Sequence, residues 1–154
     1  MVVEDFKILL QDIPAQLYNE LSNVHEVMGI YFCSPWLTEL GIPGFVKLLQ
    51  SKLQNKARFE ILTRPPEDLG HIKMSQKLQR DCNAKIYVNK ILHAKIYIVQ
   101  AKEGSFAFFG SPNLTKAARS NLEIAIETYN NKFIDNLFNA FEIHFKPLCK
   151  YWGP

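Results

Sequence analysis

The sequence predicts an α/β fold, a mixed β-sheet with helices on both faces. Strand-like and helical segments alternate along the chain, an order typical of a sheet covered by helices. Residues 27–32 are almost continuously apolar, which indicates a central strand buried on both faces. Near the C-terminus, Phe133, Leu137, Phe141 and Leu148 recur at helical spacing, which predicts an amphipathic helix.

The remaining elements follow from apolar periodicity and from Gly and Pro positions. Pro14 is expected to kink or restart the first helix, and residues 41–44 to interrupt the second. Helices are predicted over residues 4–23, 36–53, 68–82, 114–119 and 131–148. Strands are predicted over residues 26–33, 58–63, 85–88, 93–99, 105–109 and 121–129.

Length and composition fit one compact domain spanning residues 1–154. The net charge of +3 permits a polyanionic partner without requiring one. No stretch approaches the roughly 20 apolar residues of a membrane span, and the N-terminus carries early acids, so we expect a cytoplasmic protein without membrane insertion. Cys33, Cys82 and Cys149 lack paired spacing, which predicts reduced thiols rather than disulfides or a zinc site.

The chemistry is concentrated around His93 and Lys95. Strand side chains alternate between faces, so His93, Lys95 and Tyr97 are predicted to point the same way. A histidine can attack phosphorus, and a lysine can hold the anionic oxygens of a phosphate. A lysine on that face needs an anionic partner, which favours a phosphate site.

Two later segments supply the other groups that such a site needs. Gly110 allows a sharp turn or close approach, while the Ser111 hydroxyl and the Asn113 amide can donate hydrogen bonds to phosphate oxygens. Asn121 and Glu123 share one face of the following predicted strand. A carboxylate such as that of Glu123 can hold an imidazole in its productive tautomer.

Three further cations are candidates for contacts with flanking phosphates. Arg64 follows a strand end, and Lys116 and Arg119 lie after the Gly-Ser turn. Because sites in open α/β sheets form at the carboxyl ends of strands, these cations are candidates for phosphate contacts. Ordinary surface charge explains each of them equally well.

His71 and Lys73 repeat the His-x-Lys spacing, but within a predicted helix, where residues two apart do not face each other. We interpret His71 as a surface or loop residue.

The ordered set His-x-Lys, Gly-Ser-x-Asn and Asn-x-Glu resembles the signature of the phospholipase D superfamily. The resemblance implies that His93, Lys95, Asn113 and Glu123 are catalytic and that Gly110, Ser111 and Asn121 line the substrate site. The family's aspartate, five residues after the lysine, is replaced here by Gln100, and the following turn is longer than usual.

The family's catalysis uses two facing motif copies: one histidine forms a phosphohistidine, and the other protonates the leaving oxygen. This chain carries one complete copy, which implies a twofold homodimer with the site on its axis. The resemblance implies no metal or other cofactor, and the sequence shows no carboxylate cluster for one.

The resemblance, together with the small size, the basic charge and the lack of a membrane segment, implies a metal-independent phosphodiesterase, specifically a DNA endonuclease of low sequence specificity. A phospholipid phosphodiesterase is an alternative that would require an apolar channel or interfacial surface. A catalytically weak nucleic-acid-binding module of a restriction-type system is another, favoured by Gln100 and the lengthened turn.

Overall fold

The computed structural model describes residues 5–38 and 40–154, which form a mixed sheet between two helical layers. The eight strands of the sheet lie in the order β1-β9-β7-β6-β2-β4-β5-β10, and β3 and β8 form a separate two-stranded pair. The strands are β1 (Phe6–Leu9), β2 (Val27–Cys33), β3 (Leu37–Thr38), β4 (Arg58–Thr63), β5 (Lys85–Val88), β6 (Ile96–Ala101), β7 (Phe106–Gly110), β8 (Leu114–Thr115), β9 (Ala125–Thr128) and β10 (Lys150–Trp152).

Four α-helices cover the sheet: α1 (Ile13–Asn23), α2 (Phe45–Lys52), α3 (Leu69–Cys82) and α4 (Asn131–Asn139). Short 3-10 turns cover Gln54–Lys56 and Ala117–Arg119. After α4, the chain continues through a π-helical segment, Ala140–Phe145, and a 3-10 turn, Lys146–Leu148.

The centre of the sheet is parallel and its flanks are antiparallel. Strands β2, β4 and β5 run parallel to one another, while β6, β7, β9 and β1 continue the sheet as an antiparallel series. Because β6 runs against β2, the start of β6 lies beside the carboxyl end of β2, where Ile96 pairs with Cys33. This edge is where the predicted chemical groups lie.

Two apolar cores confirm the prediction that helices cover both faces. Alternate residues of β2 point to opposite faces, as expected for a strand. The first core joins β2 residues Ile30 and Phe32 to helical residues that include Leu17, Leu49 and Leu78. The second joins Tyr31 and Cys33 to Ile134 and Phe141 of the C-terminal helical segment.

The first predicted helix is wrong in its N-terminal part. Residues Phe6–Leu9 form edge strand β1, because they pair with β9 in antiparallel register. The helix begins at Ile13, where the Asp12 side chain accepts a hydrogen bond from the Ala15 amide and Pro14 occupies the first turn. A helix does begin near Pro14, but it follows strand β1 and not an earlier helical part, so the expected kink or restart within one helix is wrong; residue 4 lies outside the described residues.

Two other predicted helices also contain short strands. Leu37–Thr38 and Leu114–Thr115 pair in parallel as β3 and β8, so neither segment is helical. Only Ala117–Arg119 forms a helical turn in the second segment, and the first segment becomes helical at Phe45 (its residue 39 lies outside the described residues). Strand β10 has no counterpart in the predicted element order; it pairs with β5.

The interpretation of His71 as a surface or loop residue is wrong. This residue lies in α3 and is buried, with its Nε2 atom 3.1 Å from the Thr63 Oγ1 atom. Burial lowers the pKa of His71, an effect that the nearby Asp68 carboxylate partly opposes. Strands β4 and β5 have the predicted ends. The remaining predicted strands and helices are present with shifted ends, and β9 starts at Ala125, so Asn121 and Glu123 precede it.

Candidate functional site

The three motif segments converge at one edge of the sheet. His93 and Lys95 precede β6, which begins at Ile96 rather than at residue 93 as predicted. The Lys95 carbonyl accepts a hydrogen bond from the Gly110 amide at 3.3 Å, which places the Gly-Ser turn against the His-x-Lys segment. Ser111 in turn pairs with the backbone of Ile124, next to Glu123.

His93 and Lys95 form the centre of the site. The Lys95 Nζ atom lies 3.1 Å from the His93 Nε2 atom, and His93 is exposed while Lys95 is half-buried. The partial burial of Lys95 lowers its pKa, and the positive charge of Arg64 acts in the same direction, against the opposing effect of Glu123. An anionic group bound here would meet a cation and an imidazole nitrogen on the same surface.

Glu123 contacts Ser111 directly. The Ser111 hydroxyl donates a hydrogen bond to the Glu123 carboxylate and accepts one from the Ile124 amide at 3.0 Å. Within the described residues, no hydrogen bond joins Glu123 to His93, so the expected orienting role of Glu123 stays a prediction. Ser111 therefore connects the carboxylate to the backbone of the turn.

Gly110 is required by a close approach of two backbone segments. A Cβ atom at this position would lie 2.2 Å from the Ile124 carbonyl oxygen and 2.7 Å from the Ala125 Cα atom. Both neighbours are backbone atoms that cannot rotate away, so any larger residue would push β9 from β7. The glycine lets Ser111 and Glu123 lie side by side.

The Asn113 loop is held from beneath by two buried side chains. The Tyr97 hydroxyl donates to the Pro112 carbonyl at 2.6 Å, and the Ser34 hydroxyl accepts a hydrogen bond from the Leu114 amide at 3.1 Å. The Asn113 Oδ1 atom is buried and has no hydrogen-bond partner among the described residues. An amide oxygen only accepts hydrogen bonds and cannot hold a phosphate oxygen, so a phosphate contact by Asn113 requires its side-chain NH2 group.

The other predicted contact residues differ in whether their side chains already form hydrogen bonds within the protein. Arg64 donates through Nε to the Leu92 carbonyl at 2.7 Å, so it supports the segment that carries His93. Arg119 is bound to Asp12 by three hydrogen bonds of 2.9–3.2 Å, and a phosphate would have to replace that carboxylate. Lys116 and Asn121 have exposed side chains.

Sequence reasoning missed Ser34 and Tyr97, whose side chains hold the Asn113 loop. Ser34 directly follows the central strand β2, which is the position where α/β sheets place their sites. Tyr97 was expected on the same face as His93 and Lys95, but its role depends on a contact 15 residues away. Such a contact leaves no local signal in the chain.

Two general properties bear on cofactors and membranes. Within residues 5–38 and 40–154, no three His, Cys, Asp or Glu side chains are grouped so that they could hold a metal ion. None of the helices in this part of the chain combines the length and apolar character that crossing a bilayer requires.

Solved structures resemble this chain over nearly its full length. Nuc, a phospholipase D family member from Salmonella typhimurium, is 14% identical with a TM-score of 0.73, covering 97% of this chain and 99% of its own. NucT from Helicobacter pylori is 15% identical with a TM-score of 0.72, covering 96% and 99%. TrmBL2, an archaeal chromatin protein whose structure shows a mode of DNA binding, is 13% identical with a TM-score of 0.63, covering 97% and 55%.

At sequence identities of 13–15%, the structural similarity shows only that the fold is shared. No curated protein matches the chain by sequence. The family described as "Cardiolipin synthase, PLD-like domain" matches residues 29–145, which include the whole His-x-Lys, Gly-Ser-x-Asn and Asn-x-Glu set. Since this match covers most of the chain and agrees with the fold, the chain belongs to the phospholipase D-like family.

Proposed function

We propose that this protein is a metal-independent phosphodiesterase, most specifically a DNA endonuclease of low sequence specificity. The observation that carries the proposal is the pair formed by the exposed His93 imidazole and the Lys95 ammonium, 3.1 Å apart. A nucleophile and a cation at this separation can contact the same phosphate group. The turn that carries Ser111 and Asn113 lies against this segment, since the Gly110 amide donates to the Lys95 carbonyl at 3.3 Å, and the Asn113 side-chain NH2 group is the neutral donor that it offers.

The proposed reaction has two steps. The His93 Nε2 lone pair attacks phosphorus, so an N–P bond forms while the P–O bond to the leaving oxygen breaks. A second His93, supplied by another copy of the chain, gives its proton to that oxygen. Water then attacks the phosphohistidine, the N–P bond breaks, and the second histidine takes the proton from the water. Lys95 and Asn113 hold the nonbridging oxygens as charge develops.

The two departures from the family pattern lie away from this chemistry. Gln100 is near the end of β6, paired with Gly29, five residues beyond Lys95. At roughly 3.3 Å per residue, this separation is about 17 Å. The lengthened turn joins β6 to β7 at the same far end, where Glu103 accepts hydrogen bonds from the backbone of Glu26. Because both features lie far from His93 and Lys95, they do not change the side chains that would contact the phosphate.

Exposed apolar side chains beside the site support the proposed homodimer. Leu122 is fully exposed and Ile124 is more than half exposed, on either side of Glu123. Apolar groups next to a polar site are typical of a surface that a partner covers. A second copy related by a twofold axis would cover this surface and bring two His93 side chains together.

The first test measures cleavage of plasmid and single-stranded DNA in excess EDTA by the wild type, His93→Ala and His144→Ala. His144 is an exposed histidine of the π-helical segment and serves as the matched control. We expect the wild type and His144→Ala to cleave at equal rates and His93→Ala to lose all measurable cleavage.

Retained cleavage by His93→Ala would contradict the proposal, as would cleavage that EDTA abolishes. DNA binding by the wild type without cleavage would favour the nucleic-acid-binding module, especially if binding survived His93→Ala and fell with salt.

The dimer is tested separately by light scattering during size-exclusion chromatography. We expect a mass of twice the 17.8 kDa chain, and Leu122→Lys should shift it towards the monomer and lower activity in parallel. Met28→Lys is the control, since Met28 is also exposed but lies at the far end of β2. An active monomer would overturn the shared site.

A second candidate function, a phospholipid phosphodiesterase, is favoured by one observation. An apolar pocket of about 190 Å³ adjoins His93, with Ile91 and Leu148 exposed at its rim. Hydrolysis of phosphatidylcholine or cardiolipin vesicles by the wild type but not by His93→Ala, without cleavage of DNA, would establish this alternative.

A further inference from the structure

A cleft beside the candidate site has a composition that phosphate chemistry does not explain. It lies where β2 and β4 end and has a volume of about 360 Å³, within the range of small-ligand sites. Its lining contains Trp36, Arg64, Pro65, Glu67, Asp68, His71 and Lys90. An aromatic ring, cations and carboxylates therefore face one space.

Trp36 is held rigidly at the mouth of this cleft. Its carbonyl accepts a hydrogen bond from the Ser34 hydroxyl at 2.7 Å. The preceding carbonyl, that of Pro35, accepts from the Thr63 hydroxyl at 3.1 Å and from the Arg64 amide at 3.2 Å. Trp36 is nevertheless 37% exposed, although both of its chain neighbours are buried. A large apolar ring is thus presented to solvent on a fixed backbone.

Arg64 connects Trp36 to the catalytic segment. Its guanidinium carbon lies 4.8 Å from the centre of the Trp36 ring, a cation–π contact that supports one face of the indole. The same guanidinium donates through Nε to the Leu92 carbonyl, one residue before His93. The cleft therefore adjoins the site within the reach of one side chain.

The charges in the cleft fit a nucleobase better than a second phosphate. Glu67 and Asp68 are exposed at its wall and would repel a phosphate placed between them. Carboxylates do accept hydrogen bonds from the amino groups of cytosine and similar bases. Lys90, exposed on the same lining, can hold the backbone phosphate that accompanies a base.

We propose that Trp36 and Arg64 form a nucleobase subsite, in which an unpaired base next to the scissile phosphate stacks on the indole ring. The inference rests on the proposed function, since it names the substrate class of the same site: single-stranded nucleic acid. A base in a duplex has both faces covered and cannot stack on the ring without being extruded, so single strands bind in preference to duplexes.

The test measures binding, so that it does not depend on cleavage. In the full-length His93→Ala protein, fluorescence anisotropy compares a labelled oligodeoxyadenylate with a chain of abasic deoxyribose phosphates of equal length. We expect the base-containing strand to bind about tenfold more tightly, as one aromatic–base stack provides. Adding Trp36→Ala should remove that difference and leave the affinity for the abasic chain unchanged, while Trp36→Phe should retain part of it.

The unchanged affinity for the abasic chain also shows that the variant is folded. Phe6→Ala, at an exposed aromatic residue on edge strand β1, is the matched control and should preserve the tenfold difference. An equal loss for both strands, or no loss for either, would overturn the subsite. If the wild type does not cleave DNA but the base-dependent difference in affinity is present, the proposed function fails and the subsite stands. If the wild type cleaves DNA but the difference is absent, the proposed function stands and the subsite fails.

Discussion

The hydroxyl of Tyr97 donates a 2.6 Å hydrogen bond to the carbonyl of Pro112, which joins the buried face of β6 to the loop between Ser111 and Asn113. Burial raises the pKa of Tyr97, so the phenol stays protonated and remains a donor throughout the working pH range. The positions of Ser111 and Asn113 relative to Lys95 therefore depend on a residue that need not contact substrate.

Tyr97→Phe should lower both stability and turnover. The variant leaves the buried Pro112 carbonyl without its donor, which we expect to lower the free energy of unfolding by about 1–2 kcal/mol. Because the loop is then less fixed, kcat should fall about tenfold, with a smaller change in KM. Urea unfolding and steady-state kinetics measure the two effects.

The matched control is Tyr151→Phe, which removes a phenol from an exposed ring on β10. It should change neither quantity. If Tyr97→Phe lost stability but kept the wild-type kcat, Tyr97 would be a purely structural residue.

Gly110→Ala should destabilise the protein because of a backbone clash. The added methyl would lie 2.2 Å from the Ile124 carbonyl oxygen, so β9 must move, and we expect a loss of about 1–3 kcal/mol. The cleavage rate should also fall, and by more than the loss of folded protein accounts for, since Glu123 is displaced with the strand. Thermal unfolding followed by circular dichroism, together with the cleavage assay, would measure both.

Gly104 is the matched position for this substitution. Its φ of 151° is close to the 157° of Gly110, but a Cβ there meets nothing within 4 Å. Gly104→Ala should therefore have a much smaller effect. Equal losses of stability in Gly110→Ala and Gly104→Ala would mean that position 110 requires glycine because of its backbone conformation and not because of the clash.

The fold was predictable from the sequence wherever local periodicity and tertiary burial agree. Strand β2 is apolar throughout because both of its faces are covered, and α3 begins after Asp68, whose side chain accepts a hydrogen bond from the His71 amide at 2.9 Å. The side chains of His93 and Lys95 are adjacent as predicted, although the strand from which their pairing was inferred begins only at Ile96.

The failures occur where a distant partner determines the structure. Strand β8 has only two residues, too few to show a period, and three of the four residues of β1 are exposed, so neither has a buried apolar pattern. Each is extended because it pairs with a strand far away in the chain. His71 was assigned to the surface because the sequence does not reveal its contact with Thr63. Long-range pairings of this kind require the three-dimensional structure.

Lys95 should set the alkaline limit of activity. Partial burial first, and then the Arg64 charge, lower its pKa, so the ammonium loses its proton at a lower pH than an ordinary lysine does. Since only the charged form holds a phosphate oxygen, activity should decline on the alkaline side earlier than for a solvated lysine.

Lys95→Arg tests this assignment, because a guanidinium stays protonated throughout the accessible range. The variant should be slower at neutral pH, owing to its different geometry, but its rate should not decline on the alkaline side. A pH–rate profile with the same alkaline limb in both proteins would assign that limb to another group.

His71 should make the fold sensitive to acid. Burial lowers the folded-state pKa of His71 below its ordinary value of 6.5, so the unfolded chain binds a proton more readily than the folded one. Stability from this residue is therefore complete above pH 6.5 and is lost as the pH falls from there towards the folded-state value. Urea unfolding at intervals between pH 8 and pH 5 would measure the decline.

His71→Gln removes the titrating group while keeping a polar side chain next to Thr63, so the variant should be less stable at pH 8 but lose less on acidification. His144→Gln, at an exposed site, should follow the wild-type curve. Because His71 also lines the Trp36 cleft, its protonation would place a positive charge beneath the proposed base subsite. An acid loss that is identical in wild type and His71→Gln would contradict the assignment to His71. Asp12 could not explain such a loss, because its pair with Arg119 lowers its pKa below 3.8 and the carboxylate stays charged between pH 8 and pH 5.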